Sequence, residues 1–230
     1  MVDIAANYQR VMEKIRSAAA RCGRDPSEIK LLAATKSQGV AAIREAIKVG
    51  VRLFGENYIQ EAKIKREAIP EAVEWHMIGH LQRNKAKAAL ELFALIQSLD
   101  SPELARALDR EGEKRGQVVR VFIEVNLAGE QTKSGIGKEQ LLPLLEQVGE
   151  MANLRVEGLM TIPPFWEDTE EVRPYFRSLK ELQRLLGGLK IPNVELRELS
   201  MGMTHDYPVA IEEGATMVRI GTALFGERKE

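Results

Sequence analysis

Lys36 closes the apolar run Leu31-Leu32-Ala33-Ala34-Thr35. On an extended strand it shares a side with Leu32 and Ala34, and the alanines leave space beside it. A lysine desolvated in such a place has a lowered pKa and can condense with a carbonyl to form a Schiff base. The plain alternative is a solvent-facing lysine at a strand end. Arg219 stands in Met217-Val218-Arg219-Ile220-Gly221-Thr222, on the same side of its strand as Met217. Turned inward, its guanidinium needs acceptors, because a buried unpaired cation is very costly. A bound anion or a ring nitrogen answers that need, and so does a carboxylate from Glu56, Glu124 or Glu198.

Two glycine-containing segments could receive an anion. Ser200-Met201-Gly202-Met203-Thr204 and Gly221-Thr222 supply hydroxyls from Ser200 and Thr222, and glycines that let backbone N–H groups come close. A helix starting near Thr222 would add the positive end of its dipole. The other reading is that these are simply turn residues. Weaker signals do not survive inspection. His76 and His80 are four apart, but Met77 stands where a zinc-protease helix needs Glu. Gly135-Ile136-Gly137-Lys138 lacks the flanks of a Walker or dinucleotide loop and reads as a turn before a helix.

The elements that must carry these residues alternate. Residues 3–22 form an amphipathic helix on Ile4, Val11, Met12 and Ile15. Short apolar runs then occur at 29–35, 51–54, 75–78, 94–98, 118–125, 156–161, 194–199 and 217–220. Helical stretches fall between them near 40–49, 57–68, 84–92, 102–115, 138–151, 169–187 and 205–213. Continuous apolar runs separated by helices imply parallel strands covered on both faces. Eight such units predict a single-domain α/β fold, a (β/α)8 TIM barrel over about 29–226 with an extra N-terminal helix, within one domain 1–230. An open doubly wound sheet would carry a glycine fingerprint after its first strand, and Thr35-Lys36-Ser37-Gln38-Gly39 is not one. In a barrel, Lys36, Asn57 and the loops after strands seven and eight meet at the C-terminal face, where barrel chemistry sits and phosphates are often held.

Composition narrows the function. With 33 Lys+Arg against 34 Asp+Glu the net charge is −1, so no basic footprint exists for nucleic acid. Aromatics at 5% give few stacking platforms. Disorder, collagen and coiled coil are excluded by 44% hydrophobic content without a fibrous repeat. No apolar run reaches the roughly 20 residues a membrane helix requires, and the N-terminus reads as no secretory signal. One cysteine, Cys22, forms no internal disulfide, which fits a reducing cytoplasm, the expected location.

A lysine ending strand one, an arginine ending strand eight and a phosphate cradle on loops seven and eight resemble the barrel of fold-type III pyridoxal-phosphate proteins, the group of alanine racemase and eukaryotic ornithine decarboxylase. Leu32-Ala33-Ala34-Thr35-Lys36, Phe54-Gly55-Glu56-Asn57-Tyr58 and Trp75-His76-Met77-Ile78-Gly79-His80-Leu81-Gln82 are similar to the YggS/PROSC family. So are Gly158-Leu159-Met160-Thr161-Ile162, Leu199-Ser200-Met201-Gly202-Met203 and Val218-Arg219-Ile220-Gly221-Thr222-Ala223-Leu224-Phe225-Gly226. The resemblance implies a protein that binds pyridoxal 5′-phosphate and serves vitamin B6 and amino-acid homeostasis, with no established reaction and no catalytic residue. It implies a Schiff base on Lys36, Arg219 facing the pyridine nitrogen, and Asn57 near the ring. Ser200, Met201, Gly221 and Thr222 would hold the phosphate. Partners would be the cofactor and apo-enzymes that use it, without nucleic acid or membrane. The second, β-rich domain of the racemases is not expected, so a monomer is. A small amino-acid racemase is the alternative. A class I aldolase is a third reading, but it would want its lysine on strand six, which ends in Met160-Thr161.

Overall fold

Among the described residues of the computed structural model, eight strands are hydrogen-bonded in sequence order into a closed parallel barrel. They are β1 (Lys30–Ala34), β2 (Leu53–Glu56), β3 (Glu74–Met77), β4 (Leu95–Leu99), β5 (Val119–Glu124), β6 (Leu154–Met160), β7 (Val194–Met203) and β8 (Met217–Ile220). Residues 2–130 and 132–227 are described; Met1 and residues 228–230 of the predicted domain lie outside them. The helices are α1 (Ile4–Arg21), α2 (Val40–Lys48), α3 (Ile59–Ala68), α4 (Ala86–Leu92), α5 (Pro102–Arg115), α6 (Lys138–Gly149), α7 (Arg173–Gly187), α8 (Tyr207–Glu212) and α9 (Thr222–Phe225). The predicted barrel and its added N-terminal helix are what the chain forms.

Alternation along each strand sorts side chains between two cores. Ala33, Phe54, Ile123, Leu159, Leu199, Val218 and Ile220 point outward and pack against the helices. Leu32, Ile78, Leu95, Phe122, Met160 and Met217 point inward and fill the barrel. Because both faces are buried, the strands read as unbroken apolar runs rather than alternating ones. α1 packs on α8 and α9, and its Asn7 side chain donates to the Leu224 carbonyl at 2.9 Å, which anchors the last helix.

The expected boundaries differ from the observed ones where the site is built. β1 ends at Ala34, so Lys36 lies two residues past the strand rather than on its last position. Thr35 N–H still bonds Gly55 O at 2.9 Å, and then Ser37 turns the chain with a left-handed φ of 62°. β2 sits two residues later than expected, because Val51 N–H is taken by Ala46 O at the end of α2. β7 continues to Met203 through an irregularity between Ser200 and Met203 that lets Met203 pair with Arg219.

Candidate functional site

Arg219 organises the interior. It lies beside Met217 on the inward side of β8 and is 4% exposed. Its Nη1 donates to Ser200 O and to Ser200 Oγ, each at 2.7 Å, and its Nη2 donates to Thr161 O at 2.8 Å. A guanidinium has five N–H donors, so the Nε–H and one Nη2 hydrogen have no partner among the described residues. The carboxylates weighed from sequence do not pair with it. Glu56 binds Lys65 at 2.6 Å, Glu198 binds Lys30 and Thr216, and Glu124 acts on Arg219 only through its field. Burial pushes the guanidinium down to about 10, with Glu124 and Asp206 resisting.

The hydroxyl of Ser200 belongs to a polar chain crossing the barrel. Ser200 is fully buried, and its Oγ donates to Gln97 Oε1 at 2.6 Å. Gln97 Nε2 bonds His76 Nδ1 at 2.9 Å and touches Met217 Sδ at 3.1 Å. His76 Nε2 then bonds Glu74 Oε1 at 3.0 Å, and Arg120 Nη1 reaches the same oxygen at 3.0 Å. With Gln97 donating to Nδ1, the neutral imidazole carries its proton on Nε2 and every donor points from Arg219 toward Glu74. The His76 hydrogen bond, helped by Arg120, holds Glu74 down at about 2 despite partial burial. The charges that act on Arg219 are the carboxylates of Glu124 and Asp206, while Glu74 at the far end of the chain is ion-paired with Arg120.

The mouth above Arg219 is assembled from loops. Met201 packs its side chain into the outer core, so it offers the mouth its backbone. Gly202 has φ 89°, and a Cβ there would fall 2.6 Å from Ala210 Cβ, so α8 closes onto this turn only over glycine. Asp206 Oδ1 accepts from Met203 N–H at 2.6 Å, and Thr204 Oγ1 accepts from Ala223 N–H at 3.2 Å, linking loops seven and eight. Gly221 is half-buried and Thr222 exposed at the start of α9. Asn57 follows β2; its backbone is pressed by Gly79, where a Cβ would come within 2.7 Å of Asn57 Cα. Asn57 also lines a cleft of about 360 Å³ with Tyr58, His80, Gln82 and Lys85. Half-buried Lys36 follows β1, next to Thr35, whose N–H bonds Gly55 O of β2.

Glu124 is the group that sequence reasoning left without a role of its own. It ends β5 on the inward side, close to Gly135. Burial first, then the like charge of Asp100, raise its carboxyl from an ordinary 4.5 to about 7. Gln97 and Lys65 were also passed over. Gln97 is a polar residue inside the apolar run 94–98, and Lys65 lies three residues after buried Ala62 on the buried face of α3. Both were visible as polar residues on faces the pattern buries.

The model of the alanine racemase N-terminal domain matches residues 4–229. The chain belongs to that family. Among its relatives, a "Pyridoxal phosphate homeostasis protein" of Aquifex aeolicus is 49% identical over 221 residues, covering 96% of each chain. One of the same name from Escherichia coli K12 is 41% identical over 232 residues, covering 99% of this chain and 98% of the relative. The structure of PipY from Synechococcus elongatus with PLP bound superposes at a TM-score of 0.82, with 36% identity, over 93% of this chain and all of PipY. An alanine racemase of Clostridium difficile shares the fold at 14% identity and TM-score 0.77, with 58% of its length matched.

Proposed function

We propose that this protein binds pyridoxal 5′-phosphate at the C-terminal mouth of the barrel and serves vitamin B6 and amino-acid homeostasis in the cytoplasm as a carrier, not a catalyst. The observation that carries the reading is Arg219, a buried cation at the mouth with two N–H groups unclaimed and no ion-paired carboxylate among the described residues. A neutral ring nitrogen accepts such donors and asks for no second proton. When bound, the cofactor supplies an aldehyde that condenses with an amine, releasing water, and a ring that can withdraw electrons.

The chain's own residues divide the work. Lys36 Nζ is the amine that forms the Schiff base. Arg219 donates to the pyridine nitrogen, and a guanidinium there disfavours its protonation, which weakens the ring as an electron sink. Met201, Gly221 and Thr222 receive the phosphate through backbone N–H groups and the Thr222 hydroxyl, with Ser200 beneath them. The only proton of the Ser200 hydroxyl is engaged by Gln97, so that hydroxyl supports Arg219 first and the phosphate second. Asn57 borders the ring. Homologues named for cofactor homeostasis, one solved relative with PLP bound and the family fold support this assignment. The protein acts as a monomer and passes the cofactor to apo-enzymes.

Racemisation requires acid/base groups on both faces of a Cα. Of the side chains on the loops after β2 and β7 that could serve beside Lys36, His205 is tied to the carbonyls of Trp166 and Glu167 at 3.1 Å each. Tyr58 is 60% exposed and lines the outer cleft. The test is incubation of cofactor-loaded protein with L-alanine in heavy water. The Cα proton stays in place; rapid exchange with racemisation would make the protein an enzyme instead.

A further inference from the structure

The geometry points to Lys65 and Glu61 of α3 as the residues that aim Lys36, by fixing the two peptide groups on either side of it. This rests on Lys36 being the residue joined to the cofactor.

Lys65 is 6% exposed, and its three ammonium protons are all engaged. Nζ donates to Thr35 O at 2.7 Å, to Glu56 Oε1 at 2.6 Å and to Glu61 Oε2 at 2.9 Å. The Glu61 oxygen also accepts the Ser37 backbone N–H at 3.0 Å. Thr35 O belongs to the peptide entering Lys36, and Ser37 N–H belongs to the peptide leaving it. Both are anchored on one ion pair, so φ and ψ of Lys36 are set from outside the barrel wall. The loop needs this hold, because Ser37 sits at φ 62°, a conformation unfavourable for a residue with a Cβ. Such backbone persists only where its surroundings over-determine it.

The rest of the cluster exists to keep Lys65 in place. Thr35 Oγ1 donates to Glu56 Oε1 at 2.6 Å, and Glu56 Oε2 is buried with no hydrogen-bond partner among the described residues. A buried carboxylate with one orphaned oxygen is a costly way to stabilise a fold, since removing the charges entirely is often neutral or better. Its return lies in orientation. Lys65 and Glu61 are four apart on α3 with the acid nearer the N-terminus, the favourable order for such a pair. The imine forms as Lys36 Nζ adds to the aldehyde carbon and the carbonyl oxygen leaves as water, so the step depends on where the amine is pointed.

The experiment compares pyridoxal 5′-phosphate with 4′-deoxypyridoxine 5′-phosphate, which fills the same site without an aldehyde, on wild type, Glu61→Ala, Glu61→Gln and Lys65→Met. Glu61→Ala and Lys65→Met are expected to lose about tenfold or more in affinity for the aldehyde. They should keep their affinity for the deoxy analogue and the wild-type circular dichroism. Glu61→Gln retains an oxygen for Ser37 N–H and is expected to recover most of the aldehyde's advantage. Equal loss of both ligands in Glu61→Ala and Lys65→Met, no loss of either, or a glutamine variant as poor as alanine would overturn the assignment. Failure of the underlying reading looks different: wild type itself would then bind both ligands alike.

Discussion

Glu124 and Gln97 are polar groups buried in the barrel interior, and each predicts a measurable effect. The Glu124 carboxyl binds its proton more tightly in the folded chain, at about 7, than at its ordinary 4.5. The native state therefore holds more protons between those values, and stability falls as pH rises through them. The loss amounts to roughly 3 kcal/mol when complete. Glu124→Gln should flatten urea-derived stability between about pH 5 and about pH 8 and raise it at the upper end. A slope unchanged by the substitution would mean that another group carries it. Gln97→Leu removes the link between His76 and Ser200 and leaves both buried groups short of a partner, at a cost of roughly 1–3 kcal/mol. It also removes the acceptor that orients the Ser200 hydroxyl bonded by Arg219, so the visible band of the bound cofactor should shift. The inward, buried place of Arg219 was legible in the sequence because strand parity within an apolar run marks it, whereas Lys36 falls beyond the strand whose parity was applied to it. The partners of Arg219 were not, since parity says which way a side chain points and nothing about which strand faces it across a barrel.

Strands and helices were readable as elements, and their ends were not. Residues 102–115 and 217–220 fall where the pattern puts them, because Pro102 and Gly116 bound a helix and Gly221 stops a strand. The ends of β1, β2 and β7 moved, because pairing with a neighbour decides where a strand stops, and pairing is not local. Those three ends bear Lys36, Asn57 and the Ser200 loop. The glycines there carry a testable load. Gly202→Ala forces a methyl against Ala210 at a left-handed φ and should cost roughly 1–3 kcal/mol in chemical denaturation. Cofactor retention on dialysis should drop with it, because α8 and loop seven separate. An alanine variant as stable as wild type would show that the turn tolerates a Cβ.

For the whole molecule, closure of the barrel sets β1 and β8, from opposite ends of the chain, side by side, so that the loop carrying Lys36 follows the strand paired with Arg219's. The register pairs Leu32 with Arg219, and Lys36 follows β1 on the loop beyond Thr35. α1 braces this closure from outside through Ile4, Val11, Ile15, Ala18 and Ala19, which are buried. Ile15→Ala, at a fully buried position, should lower stability by about 2–5 kcal/mol without altering the absorption of the bound cofactor in the protein that remains folded. Residue, loop and barrel meet in one proposal, that the closed mouth holds pyridoxal 5′-phosphate on one particular amine. Borohydride reduction of the loaded protein, followed by peptide mapping, reads that amine out. A single major label on Lys36 is expected, together with a Lys36→Ala variant that still retains cofactor through Arg219 and the phosphate loops. A label mainly on another lysine, such as Lys65 or Lys85, would contradict it.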